Sequence, residues 1–219
     1  RFIENNIGIG NNGGSPTLID CFFSRNRFSN RGGGMNNYGG SPTLTNCIFE
    51  NNHANYGAGM YNNNSNPTLT DCNFFINGSF HEWGCISGGG IFNEDSSPTL
   101  INCEFEGNVA DENGGGMYND TNSSPTLINC EFTGNTAEET GGGMYNDESD
   151  ATLNTCTFQN NTAPRGGGMF NIGCDGQLTR CTFENNTSAL LGSAIYNDAN
   201  SFIRIMNSVI CDNSVPQID

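Results

Sequence analysis

The sequence predicts an all-β chain wound as a right-handed parallel β-helix, a solenoid of about eight coils of roughly 26 residues each. Three observations predict it. A cysteine returns at nearly constant spacing, apolar and asparagine columns keep register with it, and turn formers bound short apolar segments in which no helical stripe is visible.

The cysteine column is Cys21, Cys47, Cys72, Cys103, Cys130, Cys156 and Cys181, in steps of 26, 25, 31, 27, 26 and 25 residues, and Ser208 continues it after another 27. Two residues after each member comes Phe23, Phe49, Phe74, Phe105, Phe132, Phe158, Phe183 and then Ile210. Three residues before it comes Leu18, Leu44, Leu69, Leu100, Leu127, Leu153, Leu178 and then Ile205. A third apolar column, Ile9, Met35, Met60, Ile91, Met117, Met144, Met169 and Ile195, follows glycine-rich segments.

Two asparagine columns run unbroken through these units. One is Asn26, Asn52, Asn77, Asn108, Asn135, Asn161, Asn186 and Asn213. The other begins at Asn11 and continues through Asn37, Asn62, Asn93, Asn119, Asn146, Asn171 and Asn197. Neighbouring coils of a solenoid lie about 4.8 Å apart, so eight coils give a rod roughly 38 Å long. Stacked side-chain amides can hydrogen-bond up and down such a rod. These columns are therefore expected to be structural, and asparagine also tolerates the left-handed backbone where the chain turns. The stacked cysteines are expected to be free, buried thiols, because paired Cys-x-x-Cys spacing is absent and parallel Cβ vectors disfavour a disulfide. Spacing does not place Cys85, Cys174 or Cys211.

Composition limits function. The net charge is −16, and all seven basic residues are arginines. A nucleic-acid partner would require a cationic stripe, and an anionic membrane surface would repel the chain. There is no apolar run long enough to cross a membrane as a helix. The expected partners are therefore glycans, a cell surface or further copies of the chain, with no nucleic acid and no membrane insertion.

The repeats carry a resemblance. Phe105-Glu106-Gly107-Asn108 and Gly192-Ser193-Ala194-Ile195 resemble the repeats of chlamydial polymorphic outer-membrane proteins. The unit Ser-Pro-Thr-Leu-x-Asn-Cys-x-Phe is similar to the β-helix repeats of large secreted proteins from planctomycetes and other environmental bacteria. The likeness covers nearly the whole chain. It implies an extracellular or cell-surface β-helix, with adhesion or a structural coat as its role. The sequence shows no C-terminal membrane barrel of the chlamydial kind. Residues 1–219 are expected to form one β-helix domain, either a piece of a longer solenoid or a unit that associates end to end into filaments.

Three places are candidates for chemistry. The enlarged step contains Gly78-Ser79-Phe80-His81-Glu82-Trp83-Gly84-Cys85, where Trp83 would stack on a sugar ring and His81 or Glu82 would hydrogen-bond beside it. Residues 94–150 hold 13 acidic residues and no arginine. There Glu94, Asp120 and Asp147 stack after the second asparagine column, and at one coil spacing they repel unless a cation bridges them. Calcium is the cofactor this would imply. Pectate-lyase-like enzymes share the fold and use clustered carboxylates with an Arg or Lys base. With no lysine and scattered arginines, the reading favours binding over catalysis. Finally, Thr17, Thr43, Thr68, Thr99, Thr126 and Thr152 form a column expected to face outward. Outward threonine ladders can match an ice lattice, and the mixed column beside it (Ile19, Thr45, Thr70, Ile101, Ile128, Asn154) interrupts that regularity.

Overall fold

The structure is a computed structural model that describes residues 1–78 and 85–214. Each coil passes through three short parallel strands, and each strand joins its counterpart in the next coil. Among the described residues this makes a nine-stranded, two eight-stranded and one two-stranded sheet. The Phe sheet includes Phe22–Ser24, Glu104–Glu106 and Val209–Cys211. The Met sheet includes Met35–Tyr38, Met117–Asn119 and Ile195–Asn197. The Leu sheet includes Thr43–Thr45, Thr126–Ile128 and Arg204–Met206. The fold class read from the repeats is the fold observed, a right-handed parallel β-solenoid.

Register is column on column. Phe105 pairs with Phe132, Leu100 with Leu127 and Met117 with Met144. The enlarged step does not disturb it, since Phe74 still pairs with Phe105 and Met60 with Ile91. Insertion at a coil corner leaves the stacked strands untouched, which is how solenoids tolerate loops.

Because side chains alternate along a strand, one face of each sheet points into the rod. The Leu, Cys, Phe and Met columns meet there as one apolar core, with Phe132, Leu127 and Met144 fully buried. Successive phenylalanine rings stack face to face at 4.5–4.9 Å with interplanar angles of 8° or less, so the stack runs straight. All ten cysteines are unpaired. Each column thiol behaves as a small hydrophobe with a weak donor; the Cys103 thiol, for example, donates to the Ile101 carbonyl at 3.5 Å.

The asparagine columns form two continuous ladders. The Asn135 side chain makes four bonds within its ladder and to the backbone. Its Nδ2 donates to Asn161 Oδ1 at 3.0 Å and to the Phe105 carbonyl at 2.9 Å. Its Oδ1 accepts from Asn108 Nδ2 at 2.9 Å and from the Asn108 amide at 3.0 Å. The second ladder repeats the amide chain, with Asn93 Nδ2 donating to Asn119 Oδ1 and Asn119 Nδ2 to Asn146 Oδ1, both at 2.8 Å. In both ladders every amide donates toward the C-terminal neighbour.

The ladder asparagines do not use the left-handed backbone. In the first ladder the residue just before each one does: Arg25, Asn51, Ile76, Gly107, Gly134, Asn160, Asn185 and Asp212 all have φ between 50° and 64°. The reason is geometric. An amide that must point straight along the rod stays in extended backbone, and its neighbour absorbs the turn. The glycine runs share two tasks. Gly114 takes φ 67°, while a Cβ on Gly116 would lie 2.5 Å from the Gly143 carbonyl oxygen and 2.8 Å from the Phe132 ring.

Candidate functional surfaces

With the inward columns committed to the scaffold, function must come from outward residues, which differ sharply among the three sheets. The Phe sheet is acidic. Glu50, Glu104, Glu106, Glu131 and Glu184 all lie in its strands, and Glu104 pairs in register with Glu131. Partial burial, then the charges of Glu106 and Glu131, raise the Glu104 carboxyl above the ordinary glutamate range.

The Met sheet carries an outer column of stacked aromatic rings: Tyr61, Phe92, Tyr118, Tyr145, Phe170 and Tyr196, with centroids 4.5–5.6 Å apart. Sequence reading followed the inward Met and Asn columns and missed this one between them, although the recurring Met-Tyr-Asn triplet carried the signal. The rings use their faces on one another, and Tyr61, Phe92 and Phe170 are buried within the stack. At one end of this column the Arg31 guanidinium lies 4.9 Å from the Tyr61 ring centroid and 3.6 Å from the Glu94 carboxylate. The Tyr61 hydroxyl also donates to Glu94.

The Arg31 contact separates the proposed calcium residues. No arginine occurs within residues 94–150, yet Arg31 reaches Glu94 from two coils away and neutralises it. Asp120 and Asp147 remain adjacent, and burial, then Asp120 and Glu148, raise the Asp147 carboxyl. Glu94, Asp120 and Asp147 do not converge on one point. Among the described residues the convergent set is Glu184, Cys211 and Asp212, whose ligand atoms lie within 4.8 Å of one another. Register creates this set by placing Cys211 beside Glu184.

The other two unplaced cysteines also find positions. Cys174 fills a buried serine column, its amide donating to Ser201 Oγ at 3.1 Å as Ser96 does to Ser123. Cys85 is fully buried, which pushes its thiol up to about 12, and it bonds the Ser87 carbonyl at 3.3 Å. His81, Glu82 and Trp83 lie outside the described residues. Beside the stems of that segment is a cavity of about 190 Å³ lined by Arg27, Phe28, Ser29, His53 and Asn55.

Among the described residues, the outer face of the Leu sheet holds no charged side chain in its strands through six successive coils, and the Arg180 guanidinium reaches the sixth, donating to Asn154 Oδ1 at 3.2 Å. Its outward residues there are the six column threonines and Ile19, Thr45, Thr70, Ile101, Ile128 and Asn154.

A family model described as right handed beta helix region matches the chain twice, over residues 2–132 and 87–218. No curated protein gives a significant match.

Proposed function

Because the chain belongs to the right-handed β-helix family, we propose that it is an extracellular structural or adhesive module, a stiff rod whose long outer faces meet its partner. The observation that carries this reading is the unbroken register of three sheets around one core. The residues that recur in every coil point inward, where packing and amide ladders occupy them. The residues that vary point outward, as in repeat proteins that bind along extended surfaces.

Incubation of the chain with acidic polysaccharides and calcium tests the reading. It predicts no rise in absorbance from unsaturated products, together with saturable retention of the folded chain on cell-envelope or glycan-coated surfaces. Turnover that disappears when carboxylates of one face are mutated would make the protein a lyase.

A second reading, glycan binding at the enlarged loop, is favoured by the cavity beside its stems. It predicts that Trp83→Ala weakens glycan retention without moving the melting temperature.

A further inference from the structure

The outward polar groups of a coil fall into two kinds. One kind is held by the protein itself. The exposed serine column bonds the next coil's backbone, Ser97 Oγ accepting from the Ser124 amide at 3.0 Å. The threonines of the Leu sheet are different. Among the described residues, no hydroxyl of Thr17, Thr43, Thr68, Thr99, Thr126 or Thr152 has a protein partner. The strands pair one to one, so these hydroxyls repeat at the rung spacing of about 4.8 Å.

That spacing has a chemical consequence. Two hydroxyls bond directly at about 2.8 Å, so neighbours one rung apart cannot reach each other. One water between each pair satisfies both, and the row becomes a file of waters fixed at the rung repeat. The second outward column lies two residues along each strand, roughly 6.6 Å away. It contains isoleucine or threonine in the first five coils. Isoleucine shares threonine's branched Cβ and its methyl but carries an ethyl group where threonine has a hydroxyl, so this column is a row of β-branched side chains with hydroxyls only at Thr45 and Thr70. The surface is therefore one evenly spaced row of threonine hydroxyls and methyls flanked by a row of mixed isoleucine and threonine side chains.

We propose that the outer face of the Leu sheet binds ice. Charge selects this occupant. In a chain of net charge −16, the strands of this face hold no charged residue through the first five coils, matching an uncharged lattice, whereas the neighbouring Phe sheet presents five glutamates. Geometry selects it too. A partner ordered in two dimensions and built from hydrogen-bonding units can continue the bound water rows, and the surface methyls sit between them. The straight phenylalanine stack shows that the rod does not bend away from a flat crystal plane. This inference stands on the face alone and does not depend on where the protein is displayed.

The test is partitioning of the whole chain into a slowly grown ice hemisphere, with thermal hysteresis measured alongside. The wild-type chain is expected to enter the ice and to separate melting from freezing. Thr99→Lys and Thr126→Lys place bulky charges in the middle of the face and should lower incorporation about tenfold. Thr157→Lys, on the Phe sheet, should leave it unchanged. Circular dichroism melts check that each variant is folded, and Thr126→Ser, which keeps the hydroxyl and drops the methyl, gives an intermediate loss without adding charge. Exclusion of the wild-type chain from ice, with no hysteresis, overturns the proposal. So does equal incorporation by folded Thr99→Lys or Thr126→Lys. Retention on crystalline cellulose or chitin, or a face-to-face dimer, abolished by Thr126→Lys while ice is ignored, would also overturn it.

Discussion

The outer faces of the Leu and Phe sheets are built on the same scaffold and read oppositely. Both present short parallel strands at the same rung spacing, and both cover the same apolar core. One stacks threonines whose hydroxyls, among the described residues, no protein group takes up. The other stacks glutamates, with Glu104 paired to Glu131. Stacking amplifies whatever is placed outside. Repeating a neutral polar residue gives an ordered surface at little cost, whereas repeating a charge accumulates repulsion in each coil. What a face does is thus decided by its outward residues, and the scaffold beneath supplies only spacing.

The comparison holds only while the scaffold is intact, so the largest expected effect lies inside. Asn135→Ala removes four hydrogen bonds and leaves the Asn108 amide buried without a partner. It should cost about 3 kcal/mol or more. Thr126→Ala, one strand away but outward, should change stability by less than about 0.5 kcal/mol. Thermal melts of the two variants measure the contrast directly. A mild Asn135→Ala would mean that the ladder is replaceable by packing, and the separation into scaffold and surface would fail.

This division also explains what was legible in the sequence. Inward columns must repeat because each residue packs on its own counterpart, and a strict repeat can be read by counting. The cysteine, phenylalanine and asparagine columns are of that kind. The left-handed corner position is not, because arginine, isoleucine, glycine and asparagine all occupy it, at Arg25, Ile76, Gly107 and Asn160. Outward contacts between distant coils are also invisible to counting. Arg31 meets Glu94 only because two coils of winding bring them together, and Cys211 meets Glu184 only through register. The candidate loop residues His81, Glu82 and Trp83 broke the repeat, which made them conspicuous, but they lie outside the described residues.

A smaller effect is expected at a corner bordering the acidic face. Ile76 holds φ 50° and is 54% exposed, an unfavourable backbone for a β-branched residue that also loses little by leaving its place. Its column neighbours are Asn51 and Gly107, both suited to that backbone. Ile76→Asn should therefore raise stability by about 1 kcal/mol. A chemical denaturation midpoint that moves upward with an unchanged slope would support this, and a downward shift would show that Ile76 packs against something that compensates for the strain.

The smallest effect tests the contrast between the faces by titration. Glu104, Asp111 and Asp147 are all held above the ordinary carboxylate range, first by burial and then by neighbouring carboxylates. A carboxyl whose folded-state pKa exceeds its unfolded value binds more protons when folded. Its contribution to stability therefore falls as pH rises through that interval and returns on acidification. Asp198 has the opposite sign, because hydrogen bonds from Ser201 and the Gly173 amide lower its pKa, so its contribution is lost at still lower pH. The melting temperature should thus rise modestly as the pH drops from 7 into the raised carboxylate range, and then fall. Glu104→Gln with Glu131→Gln should flatten the rise and stabilise the neutral-pH protein by about 0.5 kcal/mol, the scale of one relieved like-charge pair. The converse variant sharpens the comparison. Thr99 and Thr126 pair in register on the neutral face just as Glu104 and Glu131 do on the acidic one. Thr99→Glu with Thr126→Glu should import the same pH dependence there. A calcium titration at neutral pH should mimic acidification wherever carboxylates stack and should leave the wild-type Leu sheet untouched. If the double glutamate variant melts independently of pH, repulsion between rungs is screened away, and the acidic face owes its raised pKa values to burial alone.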